Sequence, residues 1–182
     1  MENLIAPDRL DIKALAHSGG ELAGRDRLWG FKRVVADLPV EAPDGVVDWA
    51  VRAEWRATAA GQGEAWLHLR VNAALPLVCQ RCLGPVALPI VIDRWFRFVA
   101  NEDLAEAQDD EAQEDLLVMS REFNLAELIE DELLLDWPVV PRHDICPVPV
   151  QLEVVDPGFN APETARPHPF AVLAKLQGGK SR

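Results

Sequence analysis

Two stretches of strict alternation, at residues 46–58 and 64–75, form the clearest pattern in the sequence. In the first, VVDWAVRAEWRAT, every second residue is apolar and most residues between are charged. The second, EAWLHLRVNAAL, repeats the alternation after a Gly-Gln-Gly turn. Side chains alternate between the two faces of a strand, so both stretches predict half-buried strands joined as an antiparallel hairpin. The expected inward residues are Val47, Trp49, Val51, Ala53 and Trp55 in the first strand and Leu67, Leu69, Val71 and Ala73 in the second.

Further strands are expected on both sides of this hairpin. VALPIVIDRWFRFVA, residues 86–100, predicts a third strand, in which Pro89 indicates an edge or a bulge. Three successive strands with one polar face imply an antiparallel sheet. LLVM, residues 116–119, is a short strand candidate. Earlier in the chain we expect a short helix before Gly19-Gly20, while FKRVVADL, residues 31–38, has an extended pattern.

A single helix carries clear start and stop signals, in NLAELIEDELLLDWP at residues 124–138. Asn124 is a good N-cap, and Glu127 stands at the third helical position, as in a capping box. Pro138 ends the helix. The predicted apolar stripe is Leu125, Leu128, Ile129 and Leu133, and the predicted solvated face is Glu130, Asp131 and Glu132.

The negative charge of the chain is concentrated in one segment. The net charge is −12, and residues 101–137 contain fourteen acidic side chains against one basic side chain, Arg121. The rest of the chain is therefore close to neutral. A protein that binds RNA without a partner usually has a basic surface, so this charge distribution disfavours strong direct RNA binding. RNA contact through a local arginine patch is still compatible with the sequence. We expect residues 101–115, NEDLAEAQDDEAQED, to form a solvated acidic loop.

Two cysteines stand two residues apart in LPLVCQRCLGP, residues 75–85. Cys79 and Cys82 are open to three interpretations: a metal knuckle, a redox pair, or two small buried residues. A redox pair lies at the start of a helix, which lowers the thiol pKa. Here Gly84-Pro85 and a strand follow, which disfavours redox chemistry. A structural metal site needs two more ligands.

The remaining ligands are offered by His143-Asp144-Ile145-Cys146, about sixty residues later. With Cys79 and Cys82, His143 and Cys146 would complete a Cys₃His zinc site. Asp144 offers an oxygen ligand or an acceptor for the imidazole N–H. The alternative is that the cysteines are buried and His143 is a solvated loop residue. The histidines at positions 17, 68 and 168 have no evident companions.

No catalytic motif was found. The sequence lacks a P-loop, G-x-G-x-x-G, G-x-S-x-G and H-E-x-x-H, and no matched acid and base emerge, so we expect no enzyme activity. Tryptophans on strands can stack RNA bases. Trp49 and Trp55 lie on the apolar face and are expected in the core, whereas Trp66 and Trp95 are better exposed.

These patterns predict one α+β domain over residues 1–146, with an antiparallel sheet, one capped helix, an acidic loop and a Cys/His knuckle. Residues 147–182 form a Pro-rich extension with a short docking helix. That helix would begin at Pro169 and pack Phe170, Leu173 and Leu176 against the domain or a partner. No run of 18 apolar residues and no basic-then-apolar leader are seen, so a cytoplasmic location is expected.

Three stretches together resemble the YceD family, the bacterial large ribosomal RNA subunit accumulation proteins. They are VCQRCLGPV, ELIEDELLLDWPVVPRHDIC and HPFAVLAKL, and the similarity runs from about residue 47 to residue 177. Family members often carry further cysteines after the helix, where this chain has only Cys146. The resemblance implies accumulation of large-subunit (23S) ribosomal RNA in bacteria and plastids, without catalysis.

Two functional interpretations follow from the sequence. The first is a non-enzymatic ribosome biogenesis factor whose partner is a ribosomal protein or a pre-large-subunit particle. The second is a general adaptor whose acidic segment binds a basic protein. An RNA-processing enzyme has no supporting motif.

Overall fold

The computed structural model describes residues 9–39, 45–57, 63–149, 154–155 and 170. The chain divides into two compact units, Met1–Val148 and Pro149–Arg182. The strands of the first unit are β1 (Glu21–Arg27), β2 (Val46–Ala57), β3 (Gly63–Val78), β4 (Pro85–Val99) and β5 (Asp115–Val118). Its helices are α1 (Ile12–Ser18), α2 (Lys32–Asp37), α3 (Glu102–Asp109) and α4 (Leu125–Leu135), with a 3₁₀ turn at Leu28–Gly30.

The five strands form one sheet in the order β1-β2-β3-β4-β5. The predicted hairpin is confirmed, because β2 and β3 pair antiparallel with Val51 opposite Leu69. β4 extends the sheet antiparallel to β3, and Pro89 lies where β5 does not reach, since β5 pairs only with Phe96–Val99. The antiparallel sheet expected from three successive strands is confirmed for β2, β3 and β4, and β5 adds a strand parallel to β4, because α3 crosses between them. The domain is α+β with a mixed sheet.

The helices α1, α2 and α4 supply apolar side chains to the inner face of the sheet. The alternation along β2 places Val47, Trp49, Val51 and Ala53 on that face, each 8% exposed or less. Burial on one face only is what the period-two pattern predicts. The helices contribute Ile12, Leu15, Val34, Leu125, Ile129 and Leu133 to the same core.

Two segments form helices that the sequence did not predict. Residues 31–38 are not extended: α2 occupies Lys32–Asp37 and buries Val34. Residues 101–115 are not a continuous loop: α3 begins after Asn101, whose side chain accepts a hydrogen bond from the backbone N–H of Leu104 at 2.9 Å. No residue of α3 is buried, so the predicted exposure of this acidic segment is correct although its conformation is not.

The helix α4 follows the prediction except at Glu130, whose side chain is only 12% exposed and binds Arg33, and at Glu132. Asn124 caps it, accepting from the Glu127 N–H at 3.2 Å, and the predicted apolar stripe is buried. Glu132 was expected in solvent but is only 3% exposed. Its position falls between Ile129 and Leu133 on the helix surface, and its carboxylate lies beside Arg94 of β4, at 3.3 Å.

The second unit is described only at a few residues. Phe170 is 66% exposed. Leu173, Leu176 and the rest of the predicted docking helix lie outside the described residues. Within the described ranges, no helix is long and apolar enough to cross a membrane.

Candidate metal centre

The Cys79–Cys82 segment forms a tight knuckle between β3 and β4. The Cys79 N–H donates to the Gly84 carbonyl at 2.9 Å, and the Leu83 N–H donates back to the Cys79 carbonyl at 2.8 Å. Leu83 adopts the left-handed conformation, with φ of 58°. This conformation is costly for a residue with a β-carbon, so the surrounding contacts must hold it in place. The turn brings Cys82 back beside Cys79.

The second pair of ligands comes from the chain that follows α4. This loop is fixed to the knuckle by backbone contact, since the Gln80 N–H donates to the carbonyl of Pro141 at 2.7 Å. Arg81 adds two more bonds, from its guanidinium to the carbonyls of His143 at 2.9 Å and Asp144 at 3.2 Å. The two halves of the motif, distant in sequence, are therefore held together by bonds that do not involve the ligand atoms.

The four ligand atoms converge. The sulfurs of Cys79, Cys82 and Cys146 and a ring nitrogen of His143 all lie within 4.8 Å of one another. Cys79 Sγ is 3.9 Å from Cys146 Sγ. Cys82 Sγ is 3.4 Å from His143 Nδ1. The structure thus brings together all four residues that the sequence selected.

Two of these separations match the edges of a zinc tetrahedron. Zn–S bonds of about 2.3 Å and Zn–N bonds of about 2.0–2.1 Å place two sulfurs roughly 3.8 Å apart, and a sulfur and a nitrogen roughly 3.5 Å apart. The two measured distances, 3.9 and 3.4 Å, agree with these edges. Three sulfurs and one imidazole are also the donor set that zinc prefers in structural sites. The residues present therefore fit zinc.

The His143 ring is oriented by a second hydrogen bond. Its Nε2 lies 3.0 Å from the carbonyl of Pro85, which can only accept. Nε2 therefore carries the proton, and the Nδ1 lone pair points toward Cys82. We had considered Asp144 for this acceptor role or as a ligand. The structure assigns the acceptor role to Pro85 instead, because Asp144 is exposed and uses its backbone carbonyl to bind Arg81.

The groups around Cys79 favour its thiolate form. Burial works to raise the pKa of Cys79, which is fully buried. Backbone N–H groups of Cys82, His143 and Arg81 outweigh burial and lower that pKa to about 5. A low thiol pKa is characteristic of metal ligands and of reactive cysteines alike.

Cys82 behaves in the opposite way. The Gly84 N–H works to lower its pKa, but burial and the nearby sulfurs of Cys146 and Cys79 raise the pKa overall. The sulfurs therefore repel one another when charged. A divalent cation at their centre would remove that repulsion, whereas a cluster of buried neutral thiols would not need the N–H donors around Cys79.

Sequence reasoning missed Arg81 as part of this site. Its Nε lies 3.1 Å from Cys146 Sγ, and the pKa of Arg81 is raised by that hydrogen bond and by the charge on Cys146. Arg81 lies between the two cysteines of the C-x-x-C, and its side chain extends from the knuckle to Cys146. The only available signal was that a basic residue there can bind a nearby thiolate.

The tryptophan expectations were correct except at Trp55, which packs against the core but is only partly buried. Trp49 is buried in the core, while Trp66 and Trp95 lie on the outer face of the sheet, each partly covered. His68, expected to lack companions, stacks on Trp95 at 4.4 Å between ring centroids and pairs with Asp93 at 2.5 Å. Cross-strand pairing places it there, because His68 and Trp95 are opposite each other in the sheet.

Comparison with known proteins places this site inside a recognised family. The family model "Large ribosomal RNA subunit accumulation protein YceD" matches residues 67–177, which include β3, the knuckle, β4, α4 and the loop with His143 and Cys146. The chain belongs to the YceD family. A curated relative from Haemophilus influenzae, named large ribosomal RNA subunit accumulation protein YceD, is 34% identical over 111 residues. That match spans 59% of this chain and 63% of the relative. No solved structure matches the chain.

Proposed function

We propose that this YceD family member is a non-enzymatic ribosome biogenesis factor that acts in the cytoplasm. It supports the accumulation or maturation of large-subunit 23S ribosomal RNA. The observation that carries the proposal is the family match over residues 67–177, which covers the centre of the sheet and all four residues of the Cys/His cluster.

The arrangement of the cluster supports a role without catalysis. Four protein ligands fill a tetrahedral site, and catalytic zinc sites instead keep one position open for water or substrate. The ligands of this cluster are at least partly buried, and Cys79 is fully buried. Zinc in such a site would stabilise structure and would not activate water.

We propose that zinc occupies this cluster. It would join the β3–β4 knuckle to the loop after α4 and so fix Cys146 and His143 against the end of the sheet. The support is the donor set, the tetrahedral distances and the thiolate-stabilising N–H groups. Direct metal analysis of protein purified with protected thiols tests this part of the proposal.

The proposed partner is a ribosomal protein or a pre-large-subunit particle. Residues 101–115 carry eight acidic side chains and no basic one. This segment would repel the phosphates of RNA and attract a basic protein. The second candidate function, a general acidic adaptor for a basic partner, rests on the same observation and differs in needing no ribosome.

A deletion strain separates the two functions. We expect the ratio of 23S to 16S ribosomal RNA to fall on deletion and to return when this chain is expressed. An unchanged ratio, with binding to basic proteins retained, would favour the adaptor. Complementation with Cys82→Ser then asks separately whether the metal site is needed for the RNA phenotype.

A further inference from the structure

Two tryptophans on the outer face of the sheet hold a guanidinium between them. Trp66 of β3 and Trp95 of β4 are 6.4 Å apart between ring centroids and meet edge to face at 69°. The guanidinium of Arg56, on β2, lies 4.2 Å from both centroids. Such short distances to two indole rings are characteristic of cation–π binding. We call this pair of rings, Trp66 and Trp95, the indole site.

A cavity of about 600 Å³ lies beside the indole site. Besides the two indoles and two arginines, its walls include the carboxylates of Asp93, Glu114 and Asp115. Aromatic faces combined with carboxylates form a chemical environment for a cation.

The acidic segment borders this cavity directly. Arg97 of β4 connects them: it lies 6.0 Å from the Trp66 ring and binds the side chains of Gln108 at 2.7 Å and Glu114 at 2.5 Å. Gln108 belongs to α3, whose residues are all at least partly exposed. Glu114 and Asp115, at the end of the acidic segment, therefore line an aromatic site that already binds a guanidinium.

We infer that the indole site and its acidic flank form the docking surface for an arginine-rich segment of a ribosomal protein. One arginine of the partner takes the place that Arg56 holds in the free protein, and neighbouring basic residues meet the carboxylates of α3. Only the choice of a ribosomal protein as the source rests on the proposed function. The chemistry of recognition rests on the geometry of the site.

The charge distribution around the indole site favours a basic peptide over single-stranded RNA as its ligand. Trp66, Trp95 and nearby arginines resemble an RNA-stacking platform. The arginines are already paired, however: Arg56 with Glu54 at 2.9 Å, and Arg97 with Glu64 at 3.2 Å in addition to Glu114. A strand that stacked on Trp66 would bring its phosphates beside α3, which carries four acidic side chains and no basic one of its own.

The first experiment measures peptide binding by the full chain in a titration calorimeter. The probe is a synthetic peptide of alternating arginine and glycine, and its control replaces each arginine with glutamine. We expect Trp95→Leu to weaken binding of the arginine peptide about tenfold. Trp29→Leu is the matched control, because Trp29 is 61% exposed and lies outside the cavity. Equal affinity in the two variants would overturn the inference.

The second experiment asks whether a substitution strengthens or weakens peptide binding, and it leaves Trp95 unchanged. Arg56→Gln removes the guanidinium from the indole site. The control, Arg70→Gln, removes the same charge from an exposed position on the same face. We expect the arginine peptide to bind the Arg56→Gln variant several-fold more tightly than the Arg70→Gln variant. If the surface instead binds RNA, Arg56→Gln should weaken binding of a uridine oligonucleotide, and the peptide should show no such gain. That result would overturn the inference.

A cellular measurement keeps this inference distinct from the proposed function. If deletion lowers 23S RNA and Trp95→Leu restores it fully, the docking surface is wrong and the function stands. If deletion leaves 23S RNA unchanged while Trp95→Leu loses the peptide, the docking surface stands and the function is wrong.

Discussion

At the residue scale, the Cys/His cluster is positioned by contacts with the residues around it. The Leu83 turn, the Pro85 carbonyl and the bonds from Arg81 to the backbone carbonyls of His143 and Asp144 each hold part of the cluster in place. The same arrangement leaves one thiol with a low pKa and its neighbour with a raised one, so binding is coupled to loss of a proton from Cys82.

We predict that His143→Asn weakens zinc binding by more than about 100-fold, since it removes a proposed zinc ligand. Loss of a residue that only hydrogen-bonds to a ligand weakens metal binding roughly 10- to 100-fold. Competition with a chromophoric chelator measures the affinity. His68→Asn is the control, because His68 pairs with Asp93 on the outer face of the sheet. Similar zinc affinity in both variants would show that His143 is not a ligand.

A second residue-scale prediction concerns the buried carboxyl of Glu132. Burial raises its pKa, and Arg94 opposes this only in part. The folded state therefore holds the proton more tightly than the unfolded state. The contribution of Glu132 to stability is present below its unfolded pKa and is lost as pH rises through its folded pKa. We expect Glu132→Gln to reduce the fall in unfolding free energy between about pH 4 and neutral pH.

Urea denaturation at several pH values measures this effect. Glu127→Gln is a matched control, because Glu127 is also on α4 but is exposed. The explanation by burial is wrong if both variants leave the pH dependence unchanged, or if Glu132→Gln makes it steeper.

At the scale of elements, what could be predicted depended on whether a segment stabilises itself or is stabilised by distant residues. The strands β2, β3 and β4 were predictable because each buries one face. The helix α2 was not, because its N-terminus is capped from α4: the Arg33 N–H donates to Glu130 Oε1 at 2.6 Å. That contact spans 97 positions in sequence. No local pattern encodes it.

The same distinction applies to α3 and to the metal centre. α3 has no buried face, so no apolar periodicity marks it, and only the Asn101 cap signals its start. The convergence of Cys79, Cys82, His143 and Cys146 was predictable from their spacing and chemistry. Their supporting bonds to Pro85 and Pro141 were not, because backbone carbonyls leave no trace in residue type.

Two asparagine caps give an element-scale prediction. Asn124→Ala should lower the free energy of unfolding by about 1 kcal/mol, because α4 packs in the core and its first turn loses an acceptor. Asn101→Ala removes the same cap from α3, which buries no residue, and should leave global unfolding nearly unchanged. Urea denaturation followed by tryptophan fluorescence compares them. Equal losses would mean that α3 contributes to the cooperative core.

At the scale of the whole molecule, charge and aromatic chemistry meet at one edge of the sheet. Trp66 of β3 and Trp95 of β4 form the indole site, Asp93 of β4 and Asp115 of β5 lie beside it, and α3 between β4 and β5 adds exposed acidic residues. β1 lies at the opposite edge. A basic partner would therefore be attracted to the β5 side of the first unit, where electrostatic steering speeds encounter and weakens with salt.

The final prediction tests this attraction. Replacing Asp109, Asp110 and Glu111 with serine should leave the fold intact, because these residues are exposed and negative charge at the end of a helix is unfavourable. Association with a basic ribosomal protein should slow, with a shallower dependence on salt, and 23S RNA should accumulate less well in cells. Stopped-flow binding and the 23S-to-16S ratio are the measurements.

The control for this prediction removes the same amount of charge elsewhere. Glu21, Asp37 and Asp48 are exposed residues of β1, α2 and β2, and replacing them with serine changes the net charge equally. If position matters, only the first variant loses the rapid, salt-sensitive association. If both variants slow equally, net charge alone steers the partner. If the first variant restores 23S RNA fully in a deletion strain, the acidic segment only solubilises the protein, and partner binding must reside in the sheet and the cysteine loop.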